Sequence, residues 1–309
     1  MQKEETFSYQ DEQFADLQML RYRVDGFEKL TTAQKTLIYY LSEAALTGRD
    51  ILWDQNGKYN LRIRKTLETI YTDYPGDRND EEFKAFTVYL KRVWFSNGIH
   101  HHYGCEKFKP GFSEDFFRKA LEQVPADKLP LDAGQSPDEL CNVLTPVLFD
   151  PAIMPKRVNQ AKGEDLVRTS ACHYYGEDVT QAEAETFYNN QKKQGDMQRP
   201  VMYGMNSLLT KNSQGRLEEK IWKADGMYGP AIRRIIFWLE KAANLAETPE
   251  QEAVIRKLID FYQTGDLKTF DEYTILWVQE TNALVDFTNG FTETYGDPLG
   301  LKASWEGYA

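Results

Sequence analysis

The stretch VMYGMNSLLTKNSQGRLEEKIWK, residues 201–223, is where the character of this chain changes. Its two halves flank the turn-forming run Lys211-Asn212-Ser213-Gln214-Gly215. Apolar segments separated by a four- or five-residue loop containing Gly predict a β-hairpin. The four well-marked helices all lie before it and helices resume directly after it, so this is where strands enter an otherwise helical pattern.

Upstream, the helices are announced by cap chemistry. Thr31 with Gln34 forms a capping box ahead of Leu37, Ile38, Leu41 and Ala45, and Gly48 reads as the stop. Asn79 with Glu82 opens a second helix, whose stripe Phe83, Phe86, Leu90 and Trp94 keeps the 3.6 period until Asn97-Gly98. Ser113 precedes Phe116, Phe117, Ala120, Leu121 and Val124, and Ser136-Pro137-Asp138-Glu139 joins an N-cap, a first-turn proline and a box acid. The proline-bearing connectors PADKLPLDAGQSP and PVLFDPAIMP read as loops inside a domain, because no Gly/Ser-rich or charge-rich linker occurs.

Downstream, Pro230 starts a helix carrying Ile232, Ile235, Ile236, Leu239 and Ala243, and Thr248-Pro249-Glu250-Gln251 starts another carrying Val254, Ile255, Leu258, Ile259 and Tyr262. The closing ALVDFTNGFTETYGDPLG reads as a strand entering a Gly-Asp-Pro turn. No internal repeat is present. The expectation is an α+β fold, mostly helical, with a helical part over about 11–155 and a strand-containing part over about 160–309.

Composition narrows the function. The 309 residues carry 37 basic and 48 acidic side chains, a formal charge of −11, which disfavours binding to a nucleic-acid backbone. Apolar residues at 41% with 13% aromatics suffice for a packed core and exclude a disordered chain. No run of eighteen apolar residues occurs, and MQKEETFSYQDEQF lacks the layout of a secretory leader, so the chain reads as soluble, with no membrane partner. Cys105, Cys141 and Cys172 are odd in number and widely spaced. They read as thiols in a reducing compartment, which favours the cytoplasm, although an exported form whose leader has been removed fits the same residues.

Chemistry concentrates in two places. Asn97-Gly98-Ile99-His100-His101-His102-Tyr103-Gly104 holds three of the four histidines. Consecutive histidines point in different directions and make a poor tetrahedral set, so a polar loop is the preferred reading and no metal ligand is assigned. His173, beside Cys172, reads as a packed or hydrogen-bonded histidine. No histidine is followed by Glu, and there is no P-loop, dinucleotide-binding glycine motif or nucleophile elbow. The second concentration runs from Asp286 to Pro298. On a strand, Glu293 and Tyr295 would share a face, an acceptor for an ammonium group beside a phenol for a carbonyl oxygen. From spacing alone, a strand end with a solvated acid and a packed tyrosine is the preferred reading.

Five stretches together resemble the dipeptidyl peptidase III family, most closely its Bacteroidetes-type members. They are WFSNGIHHHY at 94–103, KFKP at 107–110, MYGP at 227–230, GFTETYGDP at 290–298 and WEGY at 305–308, with the likeness running from about Phe14 onward. What the resemblance implies is a zinc metallopeptidase that releases dipeptides from the amino termini of oligopeptides, with two lobes around a cleft. It implies a small β-barrel or mixed sheet, built from strands in roughly 160–225 and 283–296, in a lower lobe. Glu293 would hold the substrate's amino group, Tyr295 would support the scissile carbonyl in the transition state, and Tyr103 would line the cleft. The family's H-E-x-x-G-H motif and second zinc-ligating Glu have no counterpart in these residues. The expectation is therefore an amino-terminal lobe that binds no zinc itself and is inactive alone, with the missing upper lobe or a split partner chain supplying the metal. A stand-alone peptide-binding or scaffold module is the alternative. Exposure of the uncovered cleft face predicts low stability or self-association.

Overall fold

A computed structural model describes residues 7–309. In chain order, β1 (Gln10–Phe14) and β2 (Leu17–Leu20) form a hairpin, followed by α1 (Thr32–Gln55), α2 (Asn60–Asp73), α3 (Glu81–Ser96), α4 (Glu114–Glu122), α5 (Pro137–Phe149) and α6 (Gln181–Gln194). A second hairpin, β3 (Ser207–Lys211) and β4 (Leu217–Ile221), precedes α7 (Gly229–Ala243), α8 (Pro249–Thr264) and α9 (Leu267–Gln279), and β5 (Thr288–Glu293) pairs with β6 (Ser304–Tyr308). The α+β class and its helical majority are as expected.

The caps do the work assigned to them at most helix starts. Thr31 Oγ1 accepts from the Gln34 amide while Gln34 Oε1 accepts from the Thr31 amide, and Ser136 and Glu139 repeat the arrangement at α5. Each box satisfies two donors that a helix start leaves open. Ser113 and Thr248 cap α4 and α8. At α3 the expected box is not made: Asp80 is the N-cap, and the Glu82 carboxylate instead accepts from the Ser113 amide across the chain at 2.6 Å. Gly48 is not a stop either, since α1 continues to Gln55. A Cβ at Gly48 would run into the Trp305 indole, so this glycine is a contact surface where β6 lies against α1.

The expected barrel is the main correction. The six described strands make three separate two-stranded antiparallel ladders. Closure needs every strand paired on both edges. Instead, β4 passes almost at once through Trp222 and the 223–228 turn into α7, and residues 160–206 supply a loop and α6 rather than further strands. Only isolated contacts extend the ladders: Leu209 N–H donates to Tyr174 O and Gly176 N–H to Leu209 O, while Ala303 N–H reaches Met205 O. The β1–β2 hairpin has almost no buried face, which is why its residues carry no alternating signal.

The buried residues form two clusters. One gathers Trp53 with the inner faces of α2 to α5. The other gathers most of α1 with residues 167–305. Helix α1 therefore serves both, with Leu37, Leu41, Ala44 and Ile51 in one cluster and Trp53 in the other.

Candidate functional site

A groove of about 1090 Å³ opens where the two clusters meet. Leu52 and Asn56 at the end of α1, Phe95 to Asn97 at the end of α3, His102 to Cys105, the segment 156–161, and Tyr295, Gly296 and Ser304 from the β5–β6 connection line it. Helix α3 is turned out of the way by Asn97, left-handed at φ 50°, and Gly98 at φ 153°. A side chain at Gly98 would collide with the Asn60 amide, whose Oδ1 accepts from Ile99 N–H at 3.3 Å. That junction fixes where the histidine loop leaves the helix.

The three histidines have three separate structural roles. His100 is buried, with Nε2 against the Met154 carbonyl at 2.8 Å, and burial pushes its pKa down to about 4. His101 Nδ1 accepts from the Tyr103 and Gly104 amides at 3.1 and 3.0 Å, folding the loop back on itself. His102 packs edge-on against Phe95, with ring centroids 4.9 Å apart, and its pKa is lowered by desolvation and by His101 and Arg157. No three His, Cys, Asp or Glu side chains among the described residues converge as metal donors.

Tyr103 and Tyr295 are brought together. They come from well-separated parts of the chain, stand 85% and 72% exposed, and line the same groove. Glu293 sits beside Tyr295 at the end of β5, exposed. Strand alternation does not place this pair as expected, because β5 ends at Glu293, with an irregular register between Phe291 and Glu293, and Tyr295 lies in the following turn. The pKa of Tyr295 is raised, first by desolvation and then by Glu293 and Glu306, so at neutral pH it is a phenol able to donate.

The turn after Tyr295 is organised by Asp297. Its buried carboxylate accepts from Leu299, Leu301 and Lys302 amides and from the Tyr175 hydroxyl at 3.0 Å. Behind it, Lys302 is fully buried, donating to Ser207 Oγ at 3.0 Å and to Tyr188, both of which also donate to Glu219. The presentation of Tyr295 thus rests on a buried polar network spanning α6, β3, β4 and the closing turn. Other prominent residues are structural. Lys107 donates to the carbonyls of Val147 in α5 and Ile153 in the turn beyond it, and Tyr228 and His173 share Asp54 at 2.5 and 3.0 Å. Sequence reasoning missed Asn56, Cys105 and Arg157 in the groove wall; nothing in the run PKRVNQ sets its arginine apart.

Residues 205–309 match the model of Peptidase family M49. The resemblance is to dipeptidyl peptidase III. The mouse and human dipeptidyl peptidase 3 are each 21% identical over 323 residues, covering 92% of this chain and 42% of theirs, and the Dictyostelium discoideum protein is 20% identical over 310 residues. The chain thus spans about two-fifths of the length of these relatives. Dipeptidyl peptidase III structures from Caldithrix abyssi and Corallococcus sp. strain EGB superpose with TM-scores of 0.58 and 0.57 at 16% identity, covering 91% and 92% of this chain and 40% of each of those. The fold is that of part of dipeptidyl peptidase III. No helix among the described residues is long and apolar enough to cross a membrane.

Proposed function

We propose that this chain is the amino-terminal, substrate-binding lobe of a dipeptidyl peptidase III-like zinc peptidase, acting on oligopeptides with a free amino terminus in the cytoplasm. The observation that carries this reading is the meeting of Tyr103 and Tyr295 in one groove with Glu293 alongside. In the proposed complex the Glu293 carboxylate accepts from the peptide's ammonium group. The Tyr295 phenol donates to the scissile carbonyl oxygen as negative charge develops there, an interaction that strengthens in the transition state. Tyr103 stacks on the peptide from the facing wall.

The metal that would polarise the carbonyl and activate the attacking water in such a peptidase comes, in this reading, from outside the chain. The isolated chain should therefore bind but not turn over: purified chain should release no dipeptide from an arginyl-arginyl-naphthylamide. Calorimetric titration with a short peptide tests the binding half. The free-amine peptide should bind, whereas the N-acetylated peptide, or the Glu293→Gln chain, should bind at least tenfold more weakly, the scale of one charge-assisted hydrogen bond. Equal binding of free and acetylated peptide would remove the amine-site assignment.

A further inference from the structure

The groove wall holds a buried positive charge with no ion-pair partner among the described residues. Arg157 is only 9% exposed, yet its guanidinium meets uncharged acceptors alone: Asn56 Oδ1 at 3.3 Å, the His102 carbonyl at 3.1 Å and the Cys105 sulfur at 3.8 Å. Its Nε has no partner, and no ion pair among the described residues includes it. An arginine cannot shed its proton, so burial without a counter-charge carries a lasting desolvation cost.

The backbone that carries it is also held in place. Arg157 N–H donates to the Cys105 carbonyl at 2.9 Å, and its own carbonyl accepts from the Cys172 amide at 3.0 Å. This clamps the residue between the histidine loop and the 172–176 segment. Lys156 lines the groove next to it and adds to the positive potential. Acids near this groove include Glu293 and Glu306, which bear on Tyr295, and Asp16, which bears on His102. The groove thus presents both signs of charge, as a ligand carrying both would require.

We propose that Arg157 is the receptor for a carboxylate of the bound peptide. The inference rests on the peptide-binding reading above and adds a second anchor to it. A carboxylate matches the planar fork of a guanidinium and supplies the charge that Asn56, His102 and Cys105 cannot. It can come from the carboxyl terminus of a short peptide or from an acidic side chain.

The test uses the full chain and calorimetric titration with tetra-alanine, its C-terminal amide, its N-acetyl form and Ala-Ala-Asp-Ala-amide. Loss of the terminal carboxylate should weaken binding about tenfold or more. Recovery with the Asp peptide identifies a side chain as an acceptable source, and no recovery restricts the site to the terminus; both support the carboxylate receptor. Arg157→Gln should bind acid and amide alike, Arg157→Lys should keep part of the difference, and melting curves establish that both variants fold. If neither variant folds, the acid and amide comparison on the unaltered chain still decides. The N-acetyl peptide and Glu293→Gln report on the amine site separately, so failure there leaves the carboxylate comparison readable. N-acetylalanine, which has a carboxylate and no amine, should also shift the Arg157 Nε–H resonance saturably, the signal being assigned by its loss in Arg157→Lys. Equal binding of acid and amide by the unaltered chain, or an Nε resonance that N-acetylalanine does not move, overturns the proposal.

Discussion

The two buried clusters solve the same problem in different ways. The one built from α2 to α5 comes from consecutive segments and is filled with rings: Phe83 stacks on Tyr74 at 5.5 Å, and Phe86 meets Phe112 and Phe116 at 5.4 and 6.0 Å. The other joins α1 to segments more than a hundred residues away and inserts polar side chains among its aliphatic ones. Gln55 donates to Ala303 O at 3.1 Å and accepts from Trp305 N–H at 2.8 Å; Gln251 donates to Val285 O at 2.6 Å; Tyr262 donates to Asn289 at 2.6 Å. The α2 to α5 cluster is joined chiefly by apolar packing, with polar contacts such as Thr69 to the Lys128 carbonyl beside it. In the second cluster, buried polar groups whose partners lie in one place only hold the segments in register, at long range for Gln55 and nearer for Gln251 and Tyr262. The groove lies on the boundary between the two, where α1 passes from one to the other.

The strongest attack on this comparison is truncation of a large ring in each cluster. Phe86→Ala and Trp222→Ala should each cost about 3–5 kcal/mol. Because α1 is shared, chemical denaturation should show one transition in both variants, and two resolved transitions would mean the clusters are independent units. Next comes Lys302→Met, which removes the buried donor to Tyr188 and Ser207 Oγ and should cost about 1–3 kcal/mol at neutral pH. Burial pushes the Lys302 pKa down to about 7. Between there and the unfolded value near about 10, the unfolded chain binds a proton that the folded one lacks. The unaltered chain should therefore gain stability relative to the variant as pH rises through that window, with no change in the difference below it. Denaturation midpoints at several pH values check the sign.

Smaller effects sharpen the contrast. Gly48→Ala should destabilise by about 1–3 kcal/mol by displacing the Trp305 indole, despite the better helix former, and near-ultraviolet dichroism should report the tryptophan. Ser136→Ala removes a cap in the ring-filled cluster and should cost about 1 kcal/mol with the groove unchanged, so its melting point should fall while peptide titrations stay the same. Self-association of the chain, expected if the groove face is normally covered, can be read by light scattering on the same samples.

Much of this architecture was legible in the residues. Capping boxes and first-turn prolines act within four residues of one another, so Thr31 with Gln34 and Ser136 with Glu139 could be read directly. The 201–223 hairpin was legible for the same reason, its loop being the local run 212–216. The misreadings share one cause. Gly48 looked like a stop because its partner Trp305 is 257 positions away, and Glu82 looked like a box acid because the amide that takes it belongs to Ser113. The barrel came from resemblance, and the ladders stop where local turns at 222–228 and 294–302 bend the chain away.

The candidate site divides along the same line. The sequence by itself determined the class of fold and the identity of Tyr103, Glu293 and Tyr295 as residues of interest, because cap, turn and motif signals are short-range. Only the tertiary structure decided that Tyr103 and Tyr295 face one groove, that His100 and His101 hydrogen-bond the backbone around their loop, and that Arg157 is buried there with no ion pair among the described residues. Those facts depend on which distant atoms meet across the boundary of the two clusters, and no local pattern encodes a meeting of residues nearly two hundred positions apart.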